Sequence, residues 1–176
     1  MVLTAGHVAS MMRKHMPLGH KLLMDELYQY TQSSKRNMDV LRDWCEESAR
    51  VLIGWHYLKN TLTYHRDPEG AIDGLLMWYR CTDEWGWKDI QDWKADDPEG
   101  DTFFLAFCWA GAGAMKDLCL ELIRRQPEVL THKLVSIREG RRGPGVVKYT
   151  QKLFVKILNQ RDHGKRKRST TTTSSS

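Results

Sequence analysis

The stretch TFFLAFCW, residues 102–109, runs directly into AGAGA, residues 110–114. A run of uncharged residues with this many aromatic side chains is typical of a strand buried on both faces, so we expect the central strand of a sheet here. Residues 115–126 carry apolar side chains at helical spacing, and Pro127 ends the predicted helix. The sequence therefore predicts a buried strand, a turn made only of glycine and alanine, and then a helix.

The turn at residues 110–114 has the properties of an anion-binding site. The first backbone N–H groups of a helix have no partner within the helix, and the helix dipole adds partial positive charge at the same place. Small side chains also allow a pyrophosphate group to approach the main chain closely. The pattern favours a phosphate-bearing cofactor, and the alternative is a tight strand-to-helix turn that binds no ligand.

Four further segments combine β-branched or aromatic residues with turn signals between them, and are predicted as strands: 61–66, 74–80, 134–138 and 146–149. The turn Asp67-Pro68-Glu69-Gly70 joins the first two. The spacing of apolar residues predicts helices over residues 4–32 and 38–58, although 51–62 is also rich enough in β-branched and aromatic residues to form a strand. Residues 151–160 are predicted as a short helix or a strand extension.

Composition and charge indicate one domain with a basic tail. The chain has 176 residues, of which 41% are hydrophobic and 28% charged, and its formal net charge is +5. Residues 161–168 contain five basic residues and one acid, a net charge of +4, so the rest of the chain is nearly neutral. We expect a single domain over residues 1–160, largely helical to residue 60 and sheet-based from residue 61, and a disordered tail over residues 161–176. The tail is expected to bind nucleic acid weakly and without sequence preference.

Membrane and metal-binding classes are disfavoured. No apolar run approaches the ~18 residues of a membrane span, so no membrane partner is predicted. The four cysteines lack the short spacings of metal ligands, so we predict no metal site and a reducing compartment, the cytoplasm.

The order of the predicted segments is a hairpin, a long central strand, a small-residue turn, a helix and another strand. This order resembles the GNAT acyltransferase superfamily over about residues 50–150. The resemblance implies an α+β fold, with a GNAT-like mixed central sheet, N-terminal helices and a crossover helix after the central strand. Thr102–Trp109 would be the family's fourth strand and Leu134–Arg138 its fifth.

In that family the fourth and fifth strands splay apart, and acyl-CoA lies in the gap with its pyrophosphate on the loop amides. The resemblance therefore implies acetyl-CoA or another acyl-CoA as cofactor, and an amine on a small molecule or a protein as substrate. Backbone groups of Phe107 and Cys108 would line the pantetheine arm. The residues that would hold the pyrophosphate are Trp109, Ala110, Gly111, Ala112, Gly113 and Ala114.

A second resemblance concerns the N-terminus. Gly6-His7-Val8, followed by Pro17-Leu18-Gly19-His20, looks like the start of the RTX toxin-activating lysine acyltransferases, which are GNAT-like in fold and use a His after a Pro-Leu pair. The resemblance implies that His20 is a catalytic imidazole that moves a proton near neutral pH. The alternative is that His20 is a surface residue of a helix.

Two further residues are predicted to take part in proton transfer. Glu84 lies among the acids before the central strand, with Asp83 and Asp89, and is placed to deprotonate a substrate amine. The alternative is that these acids form a solvated face. Tyr149 would supply a phenol as the general acid that the family resemblance implies.

The function predicted on these grounds is acyl-CoA-dependent N-acyl transfer, with acetyl transfer the first choice, to an amine whose identity the sequence leaves open. The alternative is a non-catalytic GNAT-like structural protein that binds nucleic acid or a protein assembly through its tail. Small proteins of this shape occur among bacterial and phage gene products. We therefore expect the cytoplasm of a bacterial or phage-infected cell, with the virion as a second location.

Overall fold

The computed structural model of the chain describes Ser10 and residues 16–33, 45–82, 96–111, 113–140 and 143–159. Four α-helices lie in this part of the chain: α1 (Leu18–Ser33), α2 (Glu46–Leu58), α3 (Ala114–Arg125) and α4 (Gln151–Leu158). A short 3₁₀ helix, Pro127–Leu130, follows α3. The described strands are β1 (Leu62–Arg66), β2 (Ile72–Cys81), β3 (Thr102–Ala110), β4 (Lys133–Gly140) and β5 (Gly143–Tyr149).

The strands form one mixed sheet in the order β1-β2-β3-β4-β5. The pairs β1–β2, β2–β3 and β4–β5 are antiparallel. β3 and β4 run parallel, and α3 makes the crossover between them. The predicted α+β class is confirmed at this level, with the predicted central strand in the middle of the sheet and the predicted helix directly after it.

Each face of the sheet is covered by helices. Successive side chains of a strand point to opposite faces, and β2 shows this alternation clearly. Leu75 and Met77 pack with residues of α1 and α2, including Leu27 and Leu52. The side chains on the other face pack with residues of α3, the 3₁₀ helix and α4; they include Leu76, Trp78, Phe103, Leu118, Leu122 and Phe154. The sheet therefore separates two hydrophobic cores, one on each of its faces.

Two predictions about the helices are corrected. Residues 51–58 are the second half of α2 and not a strand, because Leu52, Ile53 and Trp55 are buried against the sheet, and this packing outweighs their strand propensity. The helix predicted from residue 38 is not continuous to Leu58, because Cys45 has extended backbone angles and α2 begins at Glu46. Residues 34–44 lie outside the described residues.

The C-terminal segment that was open between helix and strand is helical. α4 buries Phe154 among side chains of α3 and the 3₁₀ helix, with Ile157 half-buried beside it. The tail at residues 161–176 and the acidic segment at residues 83–95 lie outside the described residues.

Candidate cofactor-binding site

The central strand β3 carries a β-bulge. Leu105 pairs with Trp78 and Phe107 pairs with Met77, so Ala106 is an extra residue on β3. The bulge changes which face the side chains reach: Leu105 packs on the α3 side of the sheet, whereas Phe107 packs on the α1 side. In a regular strand these two residues would share a face. A bulge of this kind bends the strand and increases its twist.

The parallel pairing between β3 and β4 stops at the bulge. It covers Thr102–Leu105 and Lys133–Ser136, and Leu105 opposite Ser136 is its last pair. β3 continues to Ala110 and β4 continues to Gly140, but over these described residues the two strands no longer pair. The Ser136 hydroxyl donates a hydrogen bond of 3.0 Å to the Leu105 carbonyl at the point where the strands part. Residues 107–110 of β3 therefore pair with β2 and not with β4.

The small-residue turn follows this half-paired segment directly. Gly113 is the N-cap of α3 with φ 102°, a backbone conformation that favours glycine, and no side chain caps the helix there. A Cβ atom added at Gly113 would meet no atom within 4 Å, so the space beside this residue is open. Ala114 is buried, and Ala112 lies outside the described residues. The described atoms therefore leave room beside the residue that directly precedes α3.

One predicted ligand group is already used within the protein. The Gly111 N–H donates a hydrogen bond of 2.6 Å to the Asp73 carbonyl, which extends the β2–β3 ladder by one bond. A Cβ at Gly111 would lie 3.2 Å from the same carbonyl oxygen. The Ala114 N–H likewise donates to the Gly111 carbonyl at 3.3 Å. The amides of Gly111 and Ala114 are thus structural bonds of the turn, and an anion is left with the N–H groups that follow Ala114 in the first turn of α3.

The side chains of the predicted pantetheine-lining residues point to both faces of β3. Phe107 and Trp109 are buried on the α1 side, with ring centroids 4.8 Å apart. Cys108 is half-buried on the opposite face, and its thiol lies 3.6 Å from the sulfur of Met115. The backbone of these residues, rather than their side chains, borders the β4 side where the strands part.

Sequence reasoning missed three polar residues beside the turn: Asp73, Tyr30 and His65. Asp73 of β2 contacts Gly111 through its carbonyl, and the Tyr30 hydroxyl of α1 donates to the same carbonyl at 2.9 Å. Burial, with Asp73 and Cys108 nearby, raises the pKa of Tyr30 above its usual range. The Asp73 carboxylate contacts the imidazole of His65. Nothing in the sequence linked these residues, because strand register and the start of α3 bring them together.

His20 and Tyr149, the two predicted proton-transfer residues that the structure describes, lie on opposite faces of the sheet. His20 is exposed on α1, with its ring 5.4 Å from that of Tyr57. It lies ten residues from Tyr30, which is about 15 Å along the helix axis. Tyr149 is half-buried on the opposite face of the sheet and pairs with Leu134, at the closed end of the β3–β4 ladder. Glu84 lies outside the described residues.

A second buried polar group lies near the half of β3 that pairs with both neighbouring strands, Thr102–Leu105, which is called the closed half below. His56 is fully buried, its Nδ1 is 2.9 Å from the Thr61 hydroxyl, and its ring packs on Trp55 and Tyr79. Burial lowers the pKa of His56 from 6.5 to about 3, so the imidazole is neutral at physiological pH. Burial, with Asp96 nearby, raises the pKa of the Tyr79 phenol.

No model of a known protein family matches the sequence, and no curated protein matches it either. Among the described helices, none combines the length and the apolar character that crossing a membrane requires. The described residues contain no cluster of three or more side chains suited to holding a metal ion.

Proposed function

We propose that the protein is an acyl-CoA-dependent N-acyltransferase that transfers an acyl group, acetyl in the first instance, to an amine. The observation that carries the proposal is the parting of β3 and β4 at the bulge, directly before the small-residue turn. Such an opening gives an extended ligand two things at once: backbone groups along one strand and the N-terminus of a helix at the end of that strand.

The physical argument starts from the edge of β3 that lies beyond the last pair with β4. Backbone N–H and C=O groups that are removed from water need hydrogen-bond partners, and those on the β4 side of Ala106–Ala110 do not find them in β4. The pantetheine arm of CoA carries amide groups and can pair with such an edge as a strand would. Its pyrophosphate would then lie at the start of α3, where the open space beside Gly113 allows close approach.

The reaction requires few steps from the protein. The amine nitrogen attacks the thioester carbonyl carbon, an N–C bond forms and the C–S bond breaks. CoA leaves as a thiolate and takes up the proton that the amine loses. Positioning of the two reactants accounts for much of the rate enhancement in such transfers. His20, Glu84 and Tyr149 stay predictions for the proton transfer.

Binding is tested by titrating acetyl-CoA into the full chain by calorimetry. Lys116 is half-buried in the first turn of α3, so Lys116→Glu places a negative charge beside the proposed pyrophosphate site. We expect saturable binding by the wild-type chain and affinity about tenfold lower in the variant. The variant is expected to fold, since an acid in the first turn of a helix favours the helix.

Lys152→Glu is the matched control, because Lys152 is an exposed lysine in the first turn of α4, on a different helix. Its affinity should stay within about twofold of wild type. No heat at millimolar acetyl-CoA, or equal losses in the two variants, contradicts the proposal. Gly111→Val is a poor probe, because the new side chain would press on the Asp73 carbonyl and disturb the turn itself.

Catalysis is tested separately by the release of free CoA thiol from acetyl-CoA in the presence of a panel of primary amines. Binding together with thiol release that depends on the amine supports an acyltransferase. Binding without thiol release for any amine in the panel favours the alternative, a non-catalytic protein of the same fold.

A further inference from the structure

Asp73 is the extra residue of a second bulge, between β1 and β2. Arg66 pairs with Ile72 and His65 pairs with Gly74, so Asp73 has no partner on β1. A bulged residue lacks the ladder bonds that fix its neighbours, so its orientation depends on other contacts. These contacts come from α1, from β1 and from the turn before α3.

The carbonyl of Asp73 holds the turn. It accepts the Gly111 N–H at 2.6 Å and the Tyr30 O–H at 2.9 Å. The carboxylate of the same residue lies 2.5 Å from Nδ1 of His65. His65 therefore contacts the side chain of Asp73, and the carbonyl of Asp73 accepts the N–H of Gly111 in the small-residue turn.

The second ring nitrogen of His65 contacts α3. Its Nε2 lies 3.2 Å from a carboxylate oxygen of Asp117, the fourth residue of the helix. An ionised carboxylate accepts hydrogen bonds and donates none, so both contacts are hydrogen bonds when the ring donates from both nitrogens. His65 also lines an open groove of about 410 Å³ with Glu121 and Arg125, which pair with each other at 2.6 Å.

The start of α3 packs against β2 at Gly74, next to Asp73. A Cβ added at Gly74, the residue opposite His65, would lie 3.0 Å from Leu118 and 3.1 Å from Ala114. The helix thus packs directly on the β2 backbone beside Asp73. A shift of the backbone at the bulge would therefore press on the first turns of α3, because no side chain at Gly74 separates the helix from the strand.

We propose that His65 is a positioning residue for the cofactor site: through Asp73 it fixes Gly111 in the turn before α3, and through Asp117 it holds the orientation of a carboxylate in the first turns of α3. The geometry stands on its own, while the consequence for acyl-CoA rests on the proposed function. Without His65 the carboxylates of Asp73 and Asp117 would lose the ring that holds them, and their negative charges would be free to turn toward an approaching phosphate.

The test of the geometry uses the ¹⁵N-labelled full chain without any ligand. The chemical shift and the hydrogen-exchange rate of the Gly111 amide are measured in wild type, His65→Phe and Asp73→Asn. We expect a displaced amide resonance and exchange about tenfold faster in both variants, because the carbonyl that accepts this N–H loses its orientation. If His65→Phe does not fold, the nearly isosteric Asp73→Asn decides by the same criterion.

Glu26→Gln is the matched control. It breaks the ion pair between Glu26 and Arg66, which also joins α1 to the end of β1 but does not touch Asp73. Exchange at Gly111 should stay within about twofold of wild type in this variant. Unchanged Gly111 exchange in Asp73→Asn, or an equal increase in Glu26→Gln, overturns the proposal.

The charge effect is tested by acetyl-CoA titration of His65→Phe and Asp117→Asn. His65→Phe should lower the affinity about tenfold, whereas Asp117→Asn should leave it equal or raise it by about threefold, because one negative charge is removed. A purely structural contact would lower the affinity in both, so equal losses overturn this part. If wild type itself binds no acetyl-CoA, the proposed function fails, and the Gly111 measurement still decides the role of His65.

Discussion

The two halves of β3 are both uncharged and contain two aromatic residues each, but they have different surroundings. Thr102–Leu105 is paired with β2 on one side and β4 on the other, and Thr102, Phe103 and Phe104 are completely buried. Beyond the bulge residue Ala106, β3 pairs with β2 and not with β4 as far as Ala110, and the side chains of this half alternate between buried and half-buried. The first half stabilises the domain, while the second half leaves one backbone edge without a partner strand.

The bulge at Ala106 coincides with this difference. One inserted residue turns the following side chains to the other face, and the pairing with β4 ends at the residue before it. Bulges bend a strand and increase its twist, which accounts for the end of the pairing at this point. Unpaired backbone groups are costly unless water or a ligand satisfies them. A strand that pairs with β4 over one half only leaves backbone groups in its other half for a ligand, and a ligand with its own amide groups suits them.

The largest effect should come from truncating a side chain in the closed half. Phe104 is fully buried and packs on Tyr79, so Phe104→Ala should lower the free energy of unfolding by about 3–5 kcal/mol. Cys108→Ala in the open half removes only a half-buried thiol and should cost less than about 1 kcal/mol. Urea denaturation of the two variants measures both values. Equal losses would mean that the two halves contribute alike to stability.

A smaller effect is expected from acid, acting through His56 beneath the closed half. The native pKa of His56 is about 3 and its unfolded value is 6.5, so between these values the unfolded chain binds a proton that the native state does not. Stability therefore falls as the pH falls, by up to about 1.4 kcal/mol per pH unit, and the contribution of His56 to the slope fades within about one pH unit above 6.5. Between about pH 7 and pH 5 the loss should be about 2 kcal/mol.

His56→Phe keeps a ring of similar size and removes the titrating group. The free energy of unfolding of this variant should depend less on pH over the same range, by the ~2 kcal/mol assigned to His56. The comparison uses the pH slopes and not the absolute stabilities, because the substitution also leaves Thr61 without its contact. An unchanged slope would show that other groups cause the acid sensitivity.

The smallest effect on the folded domain should come from deleting residues 161–176. Neither half of β3 is expected to depend on this segment, so Tm should change by less than about 1 °C and acetyl-CoA affinity should not change. DNA binding should be lost, because the tail carries most of the net charge. With about four phosphate contacts, the affinity of the full chain for DNA should fall about a hundredfold between ~50 and ~200 mM salt.

Fluorescence anisotropy on both chains, at several salt concentrations, checks this last prediction. Equal DNA affinity with and without the tail would place a nucleic-acid site on the folded domain. That result would favour the non-catalytic alternative over the acyltransferase.

Much of the fold was predictable from local patterns. The uncharged aromatic run at residues 102–109, the turn Asp67-Pro68-Glu69-Gly70 and the helix ended by Pro127 are all confirmed. Each depends on residues close together in the chain, where side-chain spacing and turn chemistry act directly. The strand alternative for residues 51–62 was wrong over α2, because burial against the sheet decided between two propensities that the residues share.

The candidate site also has one part that the local sequence specifies and another that depends on tertiary packing. The glycine and alanine turn at the start of a helix is a local property, and the sequence alone specifies it. The bulge at Ala106, the parting of β3 from β4 and the contacts of Asp73 with Gly111 and His65 depend on register between strands that are distant in the chain. Register is set by how whole faces pack, and a shift of one residue reverses every side chain that follows, so only the tertiary structure decides it.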